Sequence, residues 1–203
     1  MQAKKTAIIG GTFNPVHLGH IYLAQLIIDN TDYARLLFIP VNKPSHKIEE
    51  MAISAEHRMN MLQIAIQNIS TINTDIEIVV DDCEINRGGL SYSLDTVDYV
   101  YNTYEIEGKL GFVIGDDLAA GLSTWYKWDV LKERVSFLIA RRDSYQSGDI
   151  KLPDGVSHRI LKNTVKEISS STLRMKIMRS EDVSDFLPVS VYEYIKENRL
   201  YYP

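Results

Sequence analysis

Hydrophobic positions along the chain fall into two alternating kinds of run. Thr6-Ala7-Ile8-Ile9, Arg35-Leu36-Leu37-Phe38-Ile39, Leu110-Gly111-Phe112-Val113-Ile114 and Val135-Ser136-Phe137-Leu138-Ile139 are short and nearly continuous. That is the pattern of strands buried on both faces of a parallel sheet. Asp75-Ile76-Glu77-Ile78-Val79-Val80 is β-branched and predicts another strand, and Val165-Lys166-Glu167-Ile168 a short one. Between these runs the period lengthens. Leu18 to Asn30 carries apolar residues at Leu18, Ile21, Leu23, Leu26 and Ile27, a helical spacing. Ser54 reads as the N-cap of a helix reaching about Asn68. Further helices are predicted over Ser93 to about Tyr104, Trp125–Glu133, Ser170–Met178 and Pro188–Asn198, the last with proline in its first turn. The stretch from Asp143 to Asn163 carries the least pattern and reads as a surface excursion.

Strands alternating with helices predict an α/β fold: a Rossmann-like, doubly wound, mostly parallel sheet with helices on both faces and a small C-terminal helical portion. In such sheets ligands bind beyond the carboxyl ends of the strands, near the switch in strand order. The chemically unusual residues lie where that rule wants them. Gly10–His20 follows the first strand and Asn42-Lys43-Pro44-Ser45-His46-Lys47 the second. Gly115-Asp116-Asp117, Arg141-Arg142 and Ser169-Ser170-Ser171 each follow a later one. Segments far apart in sequence are therefore expected to meet at one edge of the sheet.

Bulk properties narrow the class. A chain of 203 residues suits one domain spanning 1–203, and 45% apolar with 24% charged residues is ordinary for a soluble globular protein. The single cysteine, Cys83, excludes an internal disulfide framework and fits a reducing, cytoplasmic setting. The apolar run near the N-terminus stops at Gly10, too short for a signal peptide, and no stretch approaches the roughly 18 apolar residues that span a bilayer. A net charge of −5 argues against a broad nucleic-acid surface. Neither a nucleic acid nor a membrane is expected as a partner, and any polyanion has to be met by basic groups concentrated locally.

The segment Gly10-Gly11-Thr12-Phe13-Asn14-Pro15-Val16-His17-Leu18-Gly19-His20 leads from a strand straight into a helix. Its two leading glycines let the backbone approach a ligand closely. His17 and His20, three residues apart, place both rings on one helix face, beside the unpaired N–H groups and positive end of the helix. Backbone donors, a dipole and two potential imidazolium cations converging on one spot make a phosphate site. There is no G-x-G-x-x-G and no G-x-x-x-x-G-K-[ST], so neither the usual dinucleotide fingerprint nor a P-loop is present. The two histidines could form half of a zinc site, but Cys83 lies in another segment with no C-x-x-C partner.

Ile168-Ser169-Ser170-Ser171-Thr172-Leu173-Arg174 forms a second phosphate-type element, with hydroxyls opening a helix and Arg174 about a turn away; plain helix capping is the alternative. Lys43-Pro44-Ser45-His46-Lys47 adds two ammoniums and an imidazole on a loop, which could equally be a solvated charged loop. Arg87-Gly88-Gly89-Leu90-Ser91-Tyr92-Ser93-Leu94-Asp95-Thr96 and Leu122-Ser123-Thr124-Trp125-Tyr126-Lys127-Trp128 put hydroxyls and aromatics around helix starts. An indole face can stack on a flat, preferably cationic ring such as a pyridinium, and N–H groups at a helix start can hold a carboxylate. Core packing is the alternative for Trp125 and Tyr126 and the favoured reading for Trp128.

The string G-T-F-N-P-V-H-L-G-H resembles the signature of the nucleotidyltransferase superfamily, and Ser169 to Arg174 resembles its [ST]-x-x-x-[IL]-R element. The whole chain resembles the bacterial nicotinate-nucleotide adenylyltransferases. The match runs through Pro40-x-Asn42-x-Pro44-x-His46-Lys47, Arg87–Thr96, Ile114-Gly115-Asp116-Asp117, Trp125-Tyr126, Ile168–Arg174, Leu187-Pro188 and Leu200-Tyr201. That resemblance implies adenylyl transfer from ATP to nicotinate mononucleotide, with Mg²⁺ carried by ATP and no metal held by the protein. It implies that His17, His20 and Arg174 bear on the ATP phosphates; with Lys47 added from its basic loop, these four are expected to carry the reaction. Gly10, Gly11, Thr12, Phe13, Gly115, Asp117, Ile168, Ser169, Ser170 and Ser171 would line the ATP site, Asp117 facing the ribose. Asn42, His46, Tyr92, Ser93, Trp125 and Tyr126 would receive nicotinate mononucleotide, Trp125 stacking on the pyridine ring and amides near Ser93 and Tyr126 taking its carboxylate. Asn14 stands where many members have Asp, Leu90 and Ser93 where Pro and Thr are frequent, and Ser171 where Thr is common. Transfer to nicotinamide mononucleotide or phosphopantetheine, and a non-catalytic nucleotide sensor on the same scaffold, remain as alternatives. Ser91-Tyr92-Ser93 and Trp125-Tyr126 speak against phosphopantetheine, and the intact histidines and Arg174 against a sensor.

Overall fold

The apolar runs assemble into a six-stranded sheet with strand order β3-β2-β1-β4-β5-β6, every neighbouring pair parallel. The strands are β1 (Thr6–Gly11), β2 (Arg35–Pro40), β3 (Glu77–Val80), β4 (Leu110–Gly115), β5 (Val135–Arg142) and β6 (His158–Val165). The helices are α1 (Leu18–Asn30), α2 (Ala55–Ile66), α3 (Cys83–Arg87), α4 (Ser93–Thr103), α5 (Asp116–Ala119), α6 (Trp128–Arg134), α7 (Ser170–Met178) and α8 (Val189–Glu197). This computed structural model describes residues 2–43, 53–69, 75–142, 150–165 and 168–203.

Alternate residues of each central strand point to opposite faces, and both faces are covered. Ala7, Ile9, Leu36, Phe38, Val113 and Leu138 join one core with apolar residues of α1, α2, α7 and α8. Ile8, Leu37, Ile39, Phe112, Ile114, Phe137 and Ile139 join the other with residues of α4 and α6. This double burial is why the strands read as continuous apolar runs rather than alternating ones. Strand order reverses between β1 and β4, so the crevice for a ligand opens beyond Gly11 and Gly115.

Three expectations need correction. β6 begins at His158, inside the stretch read as a surface excursion, and pairs with β5 from Phe137↔His158 onward. It is an edge strand, with His158, Arg159 and Ile160 exposed, so the continuous apolar signature is missing. Ile168 is outside the strand, and residues 166 and 167 lie outside the described residues. The helix expected from Trp125 starts at Trp128 instead, because Lys127 adopts a left-handed backbone at φ 49° after a short 3₁₀ turn over Leu122–Thr124. Arg141 and Arg142 end β5 rather than following it. Elsewhere the boundaries agree within a few residues; Ser54 caps α2 by accepting the His57 N–H at 3.3 Å. No helix among the described residues is long and apolar enough to cross a membrane.

Candidate active site

β1 delivers Gly10 to the carboxyl edge of the sheet, where it is exposed and a Cβ in its place would meet nothing within 4 Å. The backbone there borders open space. The chain then turns at Phe13, whose φ of 48° drives its ring into the core against Phe38, 6.0 Å away. α1 opens at His17, an unusual N-cap. Its partner three residues on supplies the capping atom: the His17 backbone N–H donates to Nδ1 of His20 at 3.2 Å. The two imidazoles lie 3.8 Å apart, tilted by 33°. A Cβ at position 19 would sit 3.0 Å from the His17 ring, so a larger residue there would have to push that ring aside.

Burial pulls the His20 imidazole down from 6.5 to about 4, only partly offset by the hydrogen bond with the His17 backbone. Because Nδ1 accepts the His17 N–H, the neutral ring carries its proton on Nε2. Of the two charge states the spacing leaves open, this favours the neutral one: at neutral pH His20 is a neutral donor. A depressed histidine pKa contributes stability that is complete above about 6.5 and fades as pH falls toward 4.

α7 brings the second phosphate-type element to the same place. Ser170 Oγ donates to the Pro15 carbonyl at 3.0 Å, and Arg174 Nη1 donates to the Asn14 carbonyl at 2.7 Å across 160 positions of sequence. Arg174 is buried and also reaches Ser171 Oγ at 3.4 Å, whereas the N-cap Ser169 is exposed. Ile168 packs toward Gly19, with 3.7 Å between its Cβ and a Cβ built on the glycine. Asn14 itself is fully buried and accepts the Tyr201 hydroxyl on Oδ1 at 2.7 Å. An amide avoids the larger desolvation cost that an ionised carboxylate would carry at the same depth, while a carboxylate oxygen could accept the same hydroxyl. Tyr201→Phe removes this buried bond and is expected to lower unfolding stability by about 1–3 kcal/mol. Urea denaturation of the two proteins measures it, and equal midpoints would show that the hydroxyl contributes nothing.

On the other side of the crevice, β2 leads into Asn42. Its N–H donates to Ser91 Oγ at 3.2 Å, its Nδ2 to the Gly89 carbonyl at 2.9 Å, and Ser91 N–H returns to the Lys43 carbonyl at 2.9 Å. Gly88 and Gly89, at φ 70° and 68°, make the reversal that brings this loop back from α3, a backbone that side chains other than glycine resist. Tyr92 then serves as N-cap of α4, with Ser93 its first residue. The Tyr92 ring lies 4.6 Å from that of Tyr126, which is 45% exposed. Trp125 is half-buried and held edge-on by Phe112 at 5.9 Å and Phe137 at 6.3 Å, while Trp128 is core packing, tilted against Phe137. Gly115 caps α5, leaving Asp117 exposed and Asp116 half-buried in its first turn. His46 and Lys47 lie outside the described residues.

Sequence reasoning missed Arg58. Its side chain, 5% exposed, sits on α2 and donates from Nη1 to the Thr12 carbonyl at 2.9 Å and the Val41 carbonyl at 2.7 Å. A signal was present: Arg58, Met61, Leu62 and Ala65 form one i, i+3, i+4, i+7 stripe, all buried. A guanidinium on a core-facing stripe has to find acceptors.

Residues 8–176 match the family described as cytidylyltransferase-like, which makes the chain by class a nucleotidyltransferase. A Borreliella burgdorferi protein named "Probable nicotinate-nucleotide adenylyltransferase" is 36% identical over 97% of this chain and 96% of its own length. One of the same name from Lactococcus lactis is 34% identical over 98% of this chain and 95% of its own. The chain belongs to the nicotinate-nucleotide adenylyltransferase family. The fold agrees with that of Plasmodium falciparum nicotinic acid mononucleotide adenylyltransferase complexed with APC, at TM-score 0.74 and 22% identity over 98% of this chain and 97% of that one. The same protein complexed with NaAD gives a TM-score of 0.71.

Proposed function

We propose that this chain, acting as one domain in the cytoplasm, transfers the adenylyl group of ATP to nicotinate mononucleotide, releasing pyrophosphate and forming deamido-NAD. One observation carries the reading: two phosphate-type elements, Gly10–His20 and Ile168–Arg174, are bonded together beyond β1, while beyond β2 Asn42 is tied to Ser91, next to the Tyr92–Tyr126 ring pair. A nucleoside triphosphate suits the first side and an aromatic mononucleotide the second.

An oxygen of the mononucleotide phosphate attacks the α-phosphorus of ATP in line. The new P–O bond forms as the bond to the β-phosphate bridge breaks, and pyrophosphate leaves with those electrons. The attacking phosphate is already an anion near neutral pH, so no general base is required. Catalysis reduces to positioning and charge stabilisation. His20 would donate from Nε2, with His17, Arg174 and the hydroxyls of Ser169–Ser171 bearing on the phosphates, and Lys47 joining them from its loop. Asp117 would meet the ribose, and Trp125 would stack on the pyridine ring. ATP would enter as its magnesium complex. The donors around Gly10–His20 are imidazoles, hydroxyls and a guanidinium, which suit phosphate oxygens rather than Mg²⁺, a cation that takes oxygen ligands.

Incubating the protein with ATP, Mg²⁺ and either nicotinate or nicotinamide mononucleotide, and measuring pyrophosphate, tests this directly. Release with the acid and little with the amide is expected. Equal release would keep the chemistry and discard the selectivity, while ATP binding without release from either would revive the sensor.

A further inference from the structure

We infer that Arg58 is a positioning residue that fixes the distance between the two substrates, on the reading that ATP and an aromatic mononucleotide occupy the two sides of the crevice. β1 and β2 are hydrogen-bonded up to their carboxyl ends: Gly11 pairs with Pro40, and the last rung is the Val41 N–H donating to the Gly11 carbonyl at 2.9 Å. Beyond it the strands part. One continues into Thr12 and the histidine turn, the other into Asn42 and the loop bound to Gly89 and Ser91. The sheet no longer sets their separation there. Arg58 takes over, its Nη1 donating to Thr12 O at 2.9 Å and to Val41 O at 2.7 Å. One nitrogen, fixed to α2 by a stem buried beside Met61 and Leu62, thus holds the first carbonyl on each departing segment.

The consequence concerns the reaction rather than the binding of either substrate. Each side retains its own contacts when the clamp is removed. What is lost is their mutual register, and a misplacement of about 1 Å between reacting groups can cost on the order of 10²-fold in rate. Arg58 itself touches neither reacting atom in this account. Its effect passes through the Thr12 and Val41 carbonyls.

The test is Arg58→Met, which keeps the stem and removes the donors, with Arg58→Lys as the conservative variant, since an ammonium can also donate to two carbonyls from a shorter reach. Dissociation constants for ATP and for nicotinate mononucleotide are measured separately by calorimetry, kcat from pyrophosphate release, and folding by circular dichroism. Arg58→Met is expected to lower kcat about 10- to 10²-fold with both dissociation constants within about threefold of the parent. Arg58→Lys is expected to recover part of the loss. If Arg58→Met does not fold, Arg58→Lys has to show the same split at smaller size. A folded variant with unchanged kcat, a loss confined to the dissociation constants, or failure of both variants to fold would overturn the proposal. Failure of the parent to release pyrophosphate would instead strike the functional reading on which it rests.

Discussion

Replacing His20 with alanine is expected to lower turnover by about 10²–10³-fold while the protein stays folded, the usual effect of losing one well-placed donor to developing charge. The substitution removes two things. One is the Nε2–H aimed from the first turn of α1; the other is the Nδ1 acceptor that caps the His17 N–H. Loss of a cap typically costs about 1 kcal/mol, too little to unfold a domain of this size. His20→Asn separates the two roles, because an amide oxygen can still accept at the cap while the imidazole is gone. Both variants should melt cooperatively and both should be slow. Near-parental turnover in a folded His20→Ala would remove His20 from the chemistry. The pH dependence follows from burial. With the free-protein value near 4, His20 should leave no break in kcat/KM around 6.5. Phosphate oxygens beside the ring favour its protonated form and raise that value in the ATP complex. ATP affinity is therefore expected to strengthen as pH falls through the bound-state value and level off near 4, with proton uptake visible in calorimetry run in two buffers.

Those two imidazoles were legible in the sequence because the whole phosphate turn is one contiguous string, with the capping residue and its acceptor three positions apart. The same holds for Ile168–Arg174 and for the strands buried on both faces. What escaped was carried by contacts between distant residues, or by the absence of a second covered face. Arg58 reaches Thr12 across 46 positions and Val41 across 17, and Tyr201 reaches Asn14 across 187; no periodicity encodes such pairs. β6 escapes because an edge strand need not be apolar, and the pattern overextends α6 because the left-handed turn at Lys127 has no glycine to announce it. The charge of His20 stays open in the sequence for a related reason. Spacing shows which rings share a face but not how closely Phe13 and His17 pack against one of them.

The largest effect on stability is expected at the opposite end of the sheet, from Glu77→Ala. Arg35 opens β2 with its side chain 2% exposed, paired through Nε with Glu77 Oε2 at 2.9 Å, while Glu77 is 36% exposed and also holds Lys4 at 3.1 Å. Burial pushes the Glu77 carboxyl up, but the hydrogen bonds from Arg35 and Lys4 outweigh it and hold the group below its ordinary 4.5. The pair is unequal, and so are the consequences of cutting it. Without Glu77, a buried guanidinium keeps the Glu105 carbonyl at 3.3 Å, the Thr6 hydroxyl at 3.4 Å and the face of Tyr104, none of them anionic. Stranding a buried charge in this way costs about 3–5 kcal/mol. Without Arg35, as in Arg35→Met, Glu77 still has Lys4 and water, and an apolar side chain of similar length fills the site, so the loss should stay within about 1–2 kcal/mol. A depressed carboxylate pKa contributes stability that is complete above 4.5 and disappears as pH falls below it. The gap between the parent and Glu77→Ala should therefore narrow in urea titrations repeated at about pH 3. Equal losses from the two substitutions at neutral pH would sink the asymmetry argument. Because Arg35 and Glu77 pair at the amino ends of β2 and β3, turnover per folded molecule should not change.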